Sequence, residues 1–252
     1  MSQPARNILL ILTDQQRYDS LGATGSAVAQ TPNLDALVRE GLCFDRHFVT
    51  NPVCSPSRGS IWTGLYPSQH GLWGNGGSLP ENLPTLPSVL SRAGWQTAHF
   101  GKMHLVPILA RTRPHPRYGF DTMEVAEGDQ QYPPDDAYFN WLREREPMLF
   151  AEYLEELYTK GQAQGYTSRL PKHLHMSEWV TERGLDWLQN RREPGQPFFL
   201  SLGYFDPHHA FNPVAEFQKN SRRVRSRNLF LRRAPSSSVR FNTARGLRPW
   251  AK

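Results

Sequence analysis

The sequence predicts an α/β fold in which a mostly parallel β-sheet is sandwiched between helices. Three short apolar runs, at residues 7–13, 96–100 and 198–203, have the length and composition of buried strands. Helical patterns separate these runs along the chain, and such alternation is typical of a parallel sheet with helices on both faces. Each run ends in polar residues, as expected where the strands of an α/β sheet open onto a ligand site.

The size and composition of the chain exclude several other classes of protein. Its 252 residues, 38% of them hydrophobic, suffice for a large core, which excludes global disorder. No apolar run approaches the roughly 18 residues of a membrane-spanning helix, and no signal peptide is visible. We therefore expect a cytoplasmic protein without a membrane partner. Two cysteines, Cys43 and Cys54, are too few for a disulfide framework.

The net charge of +6 is distributed unevenly and divides the chain into two parts. Residues 221–252 hold nine Arg, one Lys and no acidic residue, whereas residues 1–220 carry 19 basic and 23 acidic side chains. We predict a folded domain over residues 1–220 and a basic tail over residues 221–252 that is disordered or translated out of frame. Because the domain is mildly acidic, its charge gives no reason to expect a nucleic-acid partner.

The first elements are predicted from apolar runs and helix signals. Residues 7–13 form an unbroken aliphatic run, which is typical of a central strand buried on both faces. Thr31 and Pro32 suit the N-cap and first position of a helix. Residues 44–50 predict a second strand, and residues 59–65 predict a short helix that follows the loop around Cys54.

The later elements follow the same logic. Residues 86–93 predict a helix that Gly94 ends, just before the strand at residues 96–100. Residues 105–135 contain several prolines and are predicted to be mostly loop. Further helices are predicted over residues 135–145, 148–163 and 177–190, before the strand at residues 198–203.

Polar residues at the three strand ends predict a single site. They are Asp14 and Gln15, Lys102 and His104, and His208 and His209. Because parallel strands end at the same edge of a sheet, we expect these side chains to lie together. A site rich in cations with one carboxylate suits an oxyanion substrate held on a metal.

The most specific feature is the sequence C-S-P-S-R at residues 54–58. Cys54 precedes a predicted helix and lies four residues before Arg58, so the helix dipole and the guanidinium both favour a thiolate. Considered alone, the motif has a second interpretation, which is a buried structural thiol beside a turn proline.

This motif is one of four that occur in order along the chain. The others are L-T-D-Q-Q-R at residues 12–17, T-P-N-L-D at residues 31–35 and G-W-Q-T-A-H-F-G-K-M-H at residues 94–104. Together they resemble the motifs of the formylglycine-dependent sulfatases, over roughly residues 6–217. The resemblance implies an alkaline-phosphatase-like fold, with residues 1–220 as the N-terminal part of a catalytic domain that hydrolyses small-molecule sulfate monoesters.

The resemblance also implies a nucleophile and its supporting residues. A formylglycine-generating enzyme would oxidise Cys54 to Cα-formylglycine, whose hydrated aldehyde attacks the sulfur of the ester. Arg58 would hold the formylglycine hydroxyl, Lys102 would bind sulfate oxygens and His104 would orient the diol. In the same comparison, Asn75 would contact the substrate.

His208 would donate a proton to the leaving alcohol, because it matches the histidine of the family's H-x-P motif. Position 210 is Ala where that motif has Pro, which leaves His209 as an alternative.

A divalent metal is also implied, with Asp14, Gln15 and the modified Cys54 as ligands. Hard oxygen donors favour Ca²⁺, with Mn²⁺ and Mg²⁺ as alternatives. Many sulfatases carry two aspartates where this chain has Asp14 and Gln15, whereas related phosphonate monoester hydrolases carry Asp-Gln. A phosphonate monoester or phosphodiester is therefore the alternative substrate, although Lys102 and His104 favour a sulfate ester.

The later part of the family pattern has no counterpart in this sequence. Glu216 is the only acidic residue after His209, so the family's later metal-binding aspartate is not found. We therefore expect the C-terminal part of the fold to be missing, with an apolar edge and face of the sheet exposed and with impaired activity. The alternative is a non-catalytic remnant that binds polyanions through its basic tail.

Overall fold

A computed structural model describes residues 7–108, 114–128, 135–160, 163 and 165–217. The strands are β1 (Ile8–Leu12), β2 (Gln96–Gly101), β3 (Thr122–Val125) and β4 (Phe198–Gly203). The α-helices are α1 (Pro32–Glu40), α2 (Cys54–Thr63), α3 (Pro67–His70), α4 (Leu86–Arg92), α5 (Ala137–Arg145), α6 (Pro147–Lys160) and α7 (Met176–Asp186). Short 3₁₀-helices span Tyr18–Ser20 and Lys172–Leu174, and a π-helical turn at Trp187–Arg191 continues α7. The predicted tail at residues 221–252 lies outside the described residues.

The described strands form one parallel sheet in the order β1-β4-β2-β3. Gly203 of β4 lies opposite Leu12 of β1 on one side and opposite Gly101 of β2 on the other. The carboxyl ends of these three strands are therefore level with one another. The predicted α/β fold with a parallel sheet is confirmed.

Helices pack on both faces of the sheet, and each face has its own apolar core. Phe100 of β2 and Leu200 of β4 pack in a core with residues of α5, α6 and α7. On the opposite face, Phe199 of β4 packs in a second core with Trp62 of α2 and Leu90 of α4. The sheet thus forms the middle layer of a three-layer sandwich, as the sequence predicts.

The prediction that residues 7–13 form a central strand is wrong for the described part of the chain. β1 forms there, but it pairs only with β4 and lies at an edge of the described sheet. Leu9 and Ile11 are 51% and 50% exposed. An apolar run indicates that a strand is suited to burial on both faces, but it does not identify the neighbours that would bury it.

Three other local predictions need correction. Residues 44–50 form no strand and are exposed, because β-rich composition gives a strand only where a neighbour completes the ladder. Thr122–Val125 forms β3 within the stretch predicted to be mostly loop, because pairing with β2 stabilises a strand too short to detect by pattern. α2 begins at Cys54 rather than at residue 59, since the first turn of a helix accommodates Pro56 without losing a hydrogen bond.

None of the helices in the described ranges combines the length and apolarity that crossing a bilayer requires.

Candidate active site

Two glycines allow the carboxyl ends of β2 and β4 to lie unusually close together. Gly101 has φ +100°, and a Cβ there would lie 2.0 Å from the carbonyl oxygen of Gly203. A Cβ at Gly203 would in turn lie 2.4 Å from the carbonyl oxygen of Lys102. Only residues without a side chain permit this approach, and it brings the polar residues after each strand to one place.

Asp14 forms the centre of a buried charge cluster at this edge. Its Oδ2 lies 2.5 Å from Nζ of Lys102 and 3.7 Å from Nη2 of Arg58, and all three residues are buried. Burial opposes ionisation of Asp14, but the two cations outweigh it and hold the pKa of the carboxyl below its usual value of 3.8. The cluster therefore carries two positive charges against one negative charge, which favours binding of an anion.

Cys54 is the first residue of α2. Hydrogen bonds to other segments of the chain hold two nearby residues of that helix, Ser55 and Arg58. Arg58 is one turn further on, and its Nη1 donates a hydrogen bond of 2.9 Å to the carbonyl oxygen of Lys102. The backbone N–H of Ser55 donates to Oδ1 of Asn75 at 3.1 Å. Asn75 thus satisfies one of the free N–H groups at the start of α2, a structural role beside its predicted contact with substrate.

His208 completes the group around Cys54. A ring nitrogen of His208, Sγ of Cys54 and a carboxylate oxygen of Asp14 all lie within 4.8 Å of one another. The ring of Phe205 supports the His208 ring with a centroid separation of 4.8 Å. The structure therefore unites the predicted nucleophile position, the predicted proton donor and the first predicted metal ligand.

Gln15 and His209 lie beside this group and contact each other. Nδ1 of His209 lies 3.2 Å from Oε1 of Gln15, and both residues are exposed. His209 also stacks on His208 with ring centroids 4.4 Å apart. The amide oxygen predicted to bind a metal is therefore engaged by His209, and the role of Gln15 as a ligand stays a prediction.

His104 is held in an uncommon backbone conformation. Its φ is +52°, and its backbone N–H donates a hydrogen bond of 3.1 Å to Oε1 of the buried Glu127. Burial, with repulsion from Lys102 and Arg58, lowers the pKa of His104 to about 3, so the ring is neutral at pH 7. Its Nδ1 is buried and has no hydrogen-bond partner among the described residues, which leaves it available to a bound group.

Sequence reasoning assigned no role in the site to two acidic residues that shape it. Glu127 follows β3, a strand that the sequence pattern did not reveal, so nothing marked it as a strand-end residue. Asp206 lies three residues after the end of β4, and the strand-end rule points to it as much as to His208. It accepts a hydrogen bond from Oγ of Ser177, and its carbonyl oxygen accepts one from the N–H of Asp14 at 3.3 Å.

A cavity of about 890 Å³ opens over these residues. Its lining includes four predicted site residues, Cys54, Lys102, His104 and His208, and the aromatic residues Tyr153, Tyr166 and Phe211. This volume accommodates a small organic ester with its charged end on Lys102.

The donor atoms present fit one side of a divalent-cation site. Asp14 supplies a buried carboxylate, the preferred ligand of hard cations, within 4.8 Å of the Cys54 sulfur. Ca²⁺ takes roughly six to eight oxygen ligands, and the described residues around Asp14 supply no second carboxylate to the group. The described residues would therefore hold a divalent cation on one side only.

The parallel sheet and its flanking helices, with the candidate site at the strand ends, form an alkaline-phosphatase-like α/β fold. Comparison with known proteins then identifies the family: the sulfatase family model matches residues 6–236, and the chain belongs to this family. The match extends past residue 220, so the boundary between domain and tail there stays a prediction.

Individual relatives agree with this assignment. An arylsulfatase of Clostridium perfringens is 32% identical over 217 residues, which cover 82% of this chain and 44% of that protein. The multifunctional alkaline phosphatase superfamily protein PehA of Trinickia caryophylli is 34% identical, covering 84% of this chain and 44% of that protein. The crystal structure of a phosphonate monoester hydrolase of Agrobacterium radiobacter superimposes with a TM-score of 0.69 at 25% identity, covering 86% and 44% of the two chains. The chain thus spans less than half the length of these relatives.

Proposed function

We propose that this chain forms the nucleophile and sulfate-binding part of a sulfuric ester hydrolase that cleaves small-molecule sulfate monoesters. One observation carries the proposal: the Cys54 sulfur, the Asp14 carboxylate and a His208 ring nitrogen lie within 4.8 Å of one another. Lys102 and Arg58 surround the same carboxylate with positive charge, which suits an anionic substrate.

The proposed reaction begins after Cys54 has been oxidised to formylglycine and hydrated. One hydroxyl of the diol gives its proton to solvent and forms a bond to the ester sulfur, while the bond from sulfur to the alcohol oxygen breaks. His208 gives its proton to that leaving oxygen. The second hydroxyl then gives its proton to His208, which restores that residue, and re-forms the carbonyl; this breaks the carbon–oxygen bond to sulfate and releases it.

The other residues of the chain would bind and orient in this reaction. Lys102 would contact the sulfate oxygens, and Arg58 would hold the hydroxyl at position 54. The neutral ring of His104 would accept a hydrogen bond from the diol through its free Nδ1. Asn75 would fix the start of α2, and thereby position 54, through Ser55.

Asp14, Gln15 and the oxygen at position 54 would hold a divalent cation, for which Ca²⁺ is favoured over Mn²⁺ and Mg²⁺. When bound, the ion would supply positive charge that offsets the charge of the sulfate group. Because the described donors fit only part of a shell, we expect the 252-residue chain to hydrolyse esters poorly.

A phosphonate monoester hydrolase is the second candidate function. Two observations favour it: the Asp14-Gln15 pair, and the similarity to the Agrobacterium phosphonate monoester hydrolase. Lys102 and His104 continue to favour the sulfate ester, because they match the Lys and His of the sulfatase motif at residues 94–104.

The test is to co-express the chain with a formylglycine-generating enzyme and label the product with an aldehyde-reactive hydroxylamine. We expect the label on the peptide that contains Cys54. Cys54→Ala should abolish labelling, whereas Cys43→Ala, which changes the other, exposed cysteine, should not affect it. Absence of label at Cys54, in cells that modify the Clostridium arylsulfatase, would contradict the proposal.

Turnover distinguishes the two candidate substrates. We expect any Cys54-dependent hydrolysis to be faster with 4-nitrophenyl sulfate than with a 4-nitrophenyl phosphonate ester. The reverse order would favour the second candidate. Rapid sulfate hydrolysis by the chain alone would contradict the expectation that its metal shell is incomplete.

A further inference from the structure

Part of the cavity lining is aromatic and has no role in the proposed reaction. α6 contributes Tyr153, and two short segments, at residues 165–168 and 211–214, contribute Tyr166 and Phe211. The two segments pair in parallel, and the backbone N–H of Tyr166 donates a hydrogen bond of 2.9 Å to the carbonyl oxygen of Phe211. Tyr166 and Phe211 are therefore held in neighbouring positions at the cavity.

The remaining polar residues of the lining already have partners within the chain. Besides the predicted site residues and the tyrosines, the polar residues of the described lining are His175, Asp206 and Asn212. Nδ1 of His175 accepts a hydrogen bond of 3.3 Å from the backbone N–H of Ser177, and the carboxylate of Asp206 accepts one from Oγ of Ser177. Nδ2 of Asn212 donates to the hydroxyl of Tyr166 at 3.4 Å. This part of the lining thus has few free hydrogen-bonding groups for the hydroxyls of a sugar.

The hydroxyl groups of the two tyrosines are also engaged. The Asn212 side chain hydrogen-bonds the hydroxyl of Tyr153 as well as that of Tyr166. Phe211 has no polar group and is 53% exposed, although it lines a cavity. Covering such a ring with an apolar group is favourable, because apolar surface is removed from water. These residues therefore offer a ligand their rings rather than polar atoms.

We propose that the alcohol part of the substrate ester is aromatic rather than a sugar, and that it packs against Tyr166 and Phe211. The inference rests on the proposed function and adds to it the class of the alcohol. Aromatic pairs attract each other in edge-to-face and offset-stacked arrangements, beyond the gain from burial alone. A sugar would instead bury several hydroxyl groups beside these rings, and each hydroxyl without a partner opposes binding. The cavity of about 890 Å³ has room for an aromatic ring system next to Cys54.

The first measurement separates the alcohol from the sulfate group. 2-Naphthol and N-acetylglucosamine are titrated into the 252-residue chain in a calorimeter. We expect one 2-naphthol to bind per chain, and the sugar to bind at least about tenfold more weakly. Neither ligand requires the aldehyde at Cys54. In the Cys54→Ala chain, which cannot form the aldehyde, 2-naphthyl sulfate should displace 2-naphthol, because the two share the position of the ring.

Substitutions in the lining locate the bound naphthol. Tyr166→Ala and Phe211→Ala should each weaken its binding about fivefold or more, because each removes an aromatic ring from the site. Tyr166→Phe keeps the ring and should retain the affinity to within about twofold.

Phe217→Ala is the matched control for Phe211→Ala. Phe217 is equally exposed, at 51%, but it lines a neighbouring cavity of about 380 Å³ and not the cavity over Cys54. Its loss should leave the affinity for 2-naphthol unchanged. Because both phenylalanines are half exposed, neither substitution is expected to unfold the chain.

Four results would overturn the inference. The first is a naphthol affinity that depends on Phe217 and not on Tyr166, which would put the ligand in the neighbouring cavity. The second is an equal loss in Tyr166→Phe and Tyr166→Ala, which would show that the hydroxyl rather than the ring binds. The third is a sugar that binds as tightly as 2-naphthol, and the fourth is a naphthyl sulfate that does not displace it. Absence of the aldehyde label at Cys54 would instead contradict the proposed function, and none of these binding measurements depends on that label.

Discussion

The ammonium group of Lys102 lies 2.5 Å from Oδ2 of Asp14, which links the ends of two strands that β4 separates in the sheet. Arg58 reaches the same carboxylate from α2 at 3.7 Å. One buried charge cluster thus joins the end of β1, the end of β2 and the N-terminal half of α2. The cluster both stabilises this edge of the fold and gives it the positive charge that an oxyanion requires.

Removing the cation of this pair should destabilise the chain strongly. Lys102→Met leaves Asp14 buried with only the more distant Arg58, and breaking a buried pair in this way costs about 3–5 kcal/mol. Urea unfolding of the chain and the variant measures the loss. Lys172→Met is the matched control, because Lys172 pairs with Glu178 at 3.5 Å but is 44% exposed, and its loss should cost less than about 1 kcal/mol. If the two variants lost the same free energy of unfolding, the ion pair between Lys102 and Asp14 would not behave as a buried pair.

Alanine at Gly101 should prevent the strand ends from meeting. Its Cβ would lie 2.0 Å from the carbonyl oxygen of Gly203, so either the chain does not fold or β2 and β4 separate. Gly94→Ala is the control, because Gly94 also has a positive φ, +85°, but open space where the Cβ would stand. That variant should lose only about 1–2 kcal/mol, the cost of the left-handed conformation. Thermal unfolding followed by circular dichroism compares the two, and similar melting temperatures would contradict the close approach.

Stability should fall as the pH drops below 6.5. Burial, with repulsion from Arg58, lowers the pKa of His99 from 6.5 to about 3, and the pKa of His104 is also about 3. Both rings are therefore neutral in the folded state, whereas the unfolded chain binds protons below pH 6.5. Each histidine contributes stability that is fully present above pH 6.5 and is lost down to about pH 3, by about 1.4 kcal/mol per pH unit.

The check is the slope of unfolding free energy against pH between 6 and 4. His99→Gln should reduce that slope by up to about 1.4 kcal/mol per pH unit, even if it lowers stability overall. A slope that is the same in His99→Gln and in the parent chain would contradict the neutral buried ring.

Glu127 should stabilise the fold through its hydrogen bond with the backbone N–H of His104. Glu127→Leu leaves the buried N–H of His104 without its acceptor, which costs about 1–3 kcal/mol. Glu127→Gln retains an oxygen acceptor and should recover most of that loss. Urea unfolding measures both variants, and equal stability of the Leu and Gln variants would show that this hydrogen bond is not important.

The sequence predicted the class of fold and most of the site because both depend on local patterns. Apolar runs and cap residues located β1, β2, β4 and α4, and the strand-end rule brought Asp14, Lys102 and His208 to one edge. Parallel strands end at the same edge whatever their order, so the rule needed no knowledge of topology. The four motifs then gave the family, which the family comparison confirms.

Other features depended on contacts between distant segments. β3 forms because β2 provides a ladder, and residues 44–50 remain irregular, with no strand paired to them in the described chain. The role of Glu127 depended on β3 and so remained hidden.

The sequence by itself determined that β1 would be an aliphatic strand that ends at the carboxylate of Asp14, and it predicts that this carboxylate binds a metal. Only the tertiary structure decided that β4 pairs with one edge of that strand. Within the described residues, no strand pairs with the other edge, and Leu9 and Ile11 remain half exposed. The physical reason is that the apolar side chains of a segment show that it is stabilised by burial. Whether the segment is buried depends on which other segments of the chain pack against it.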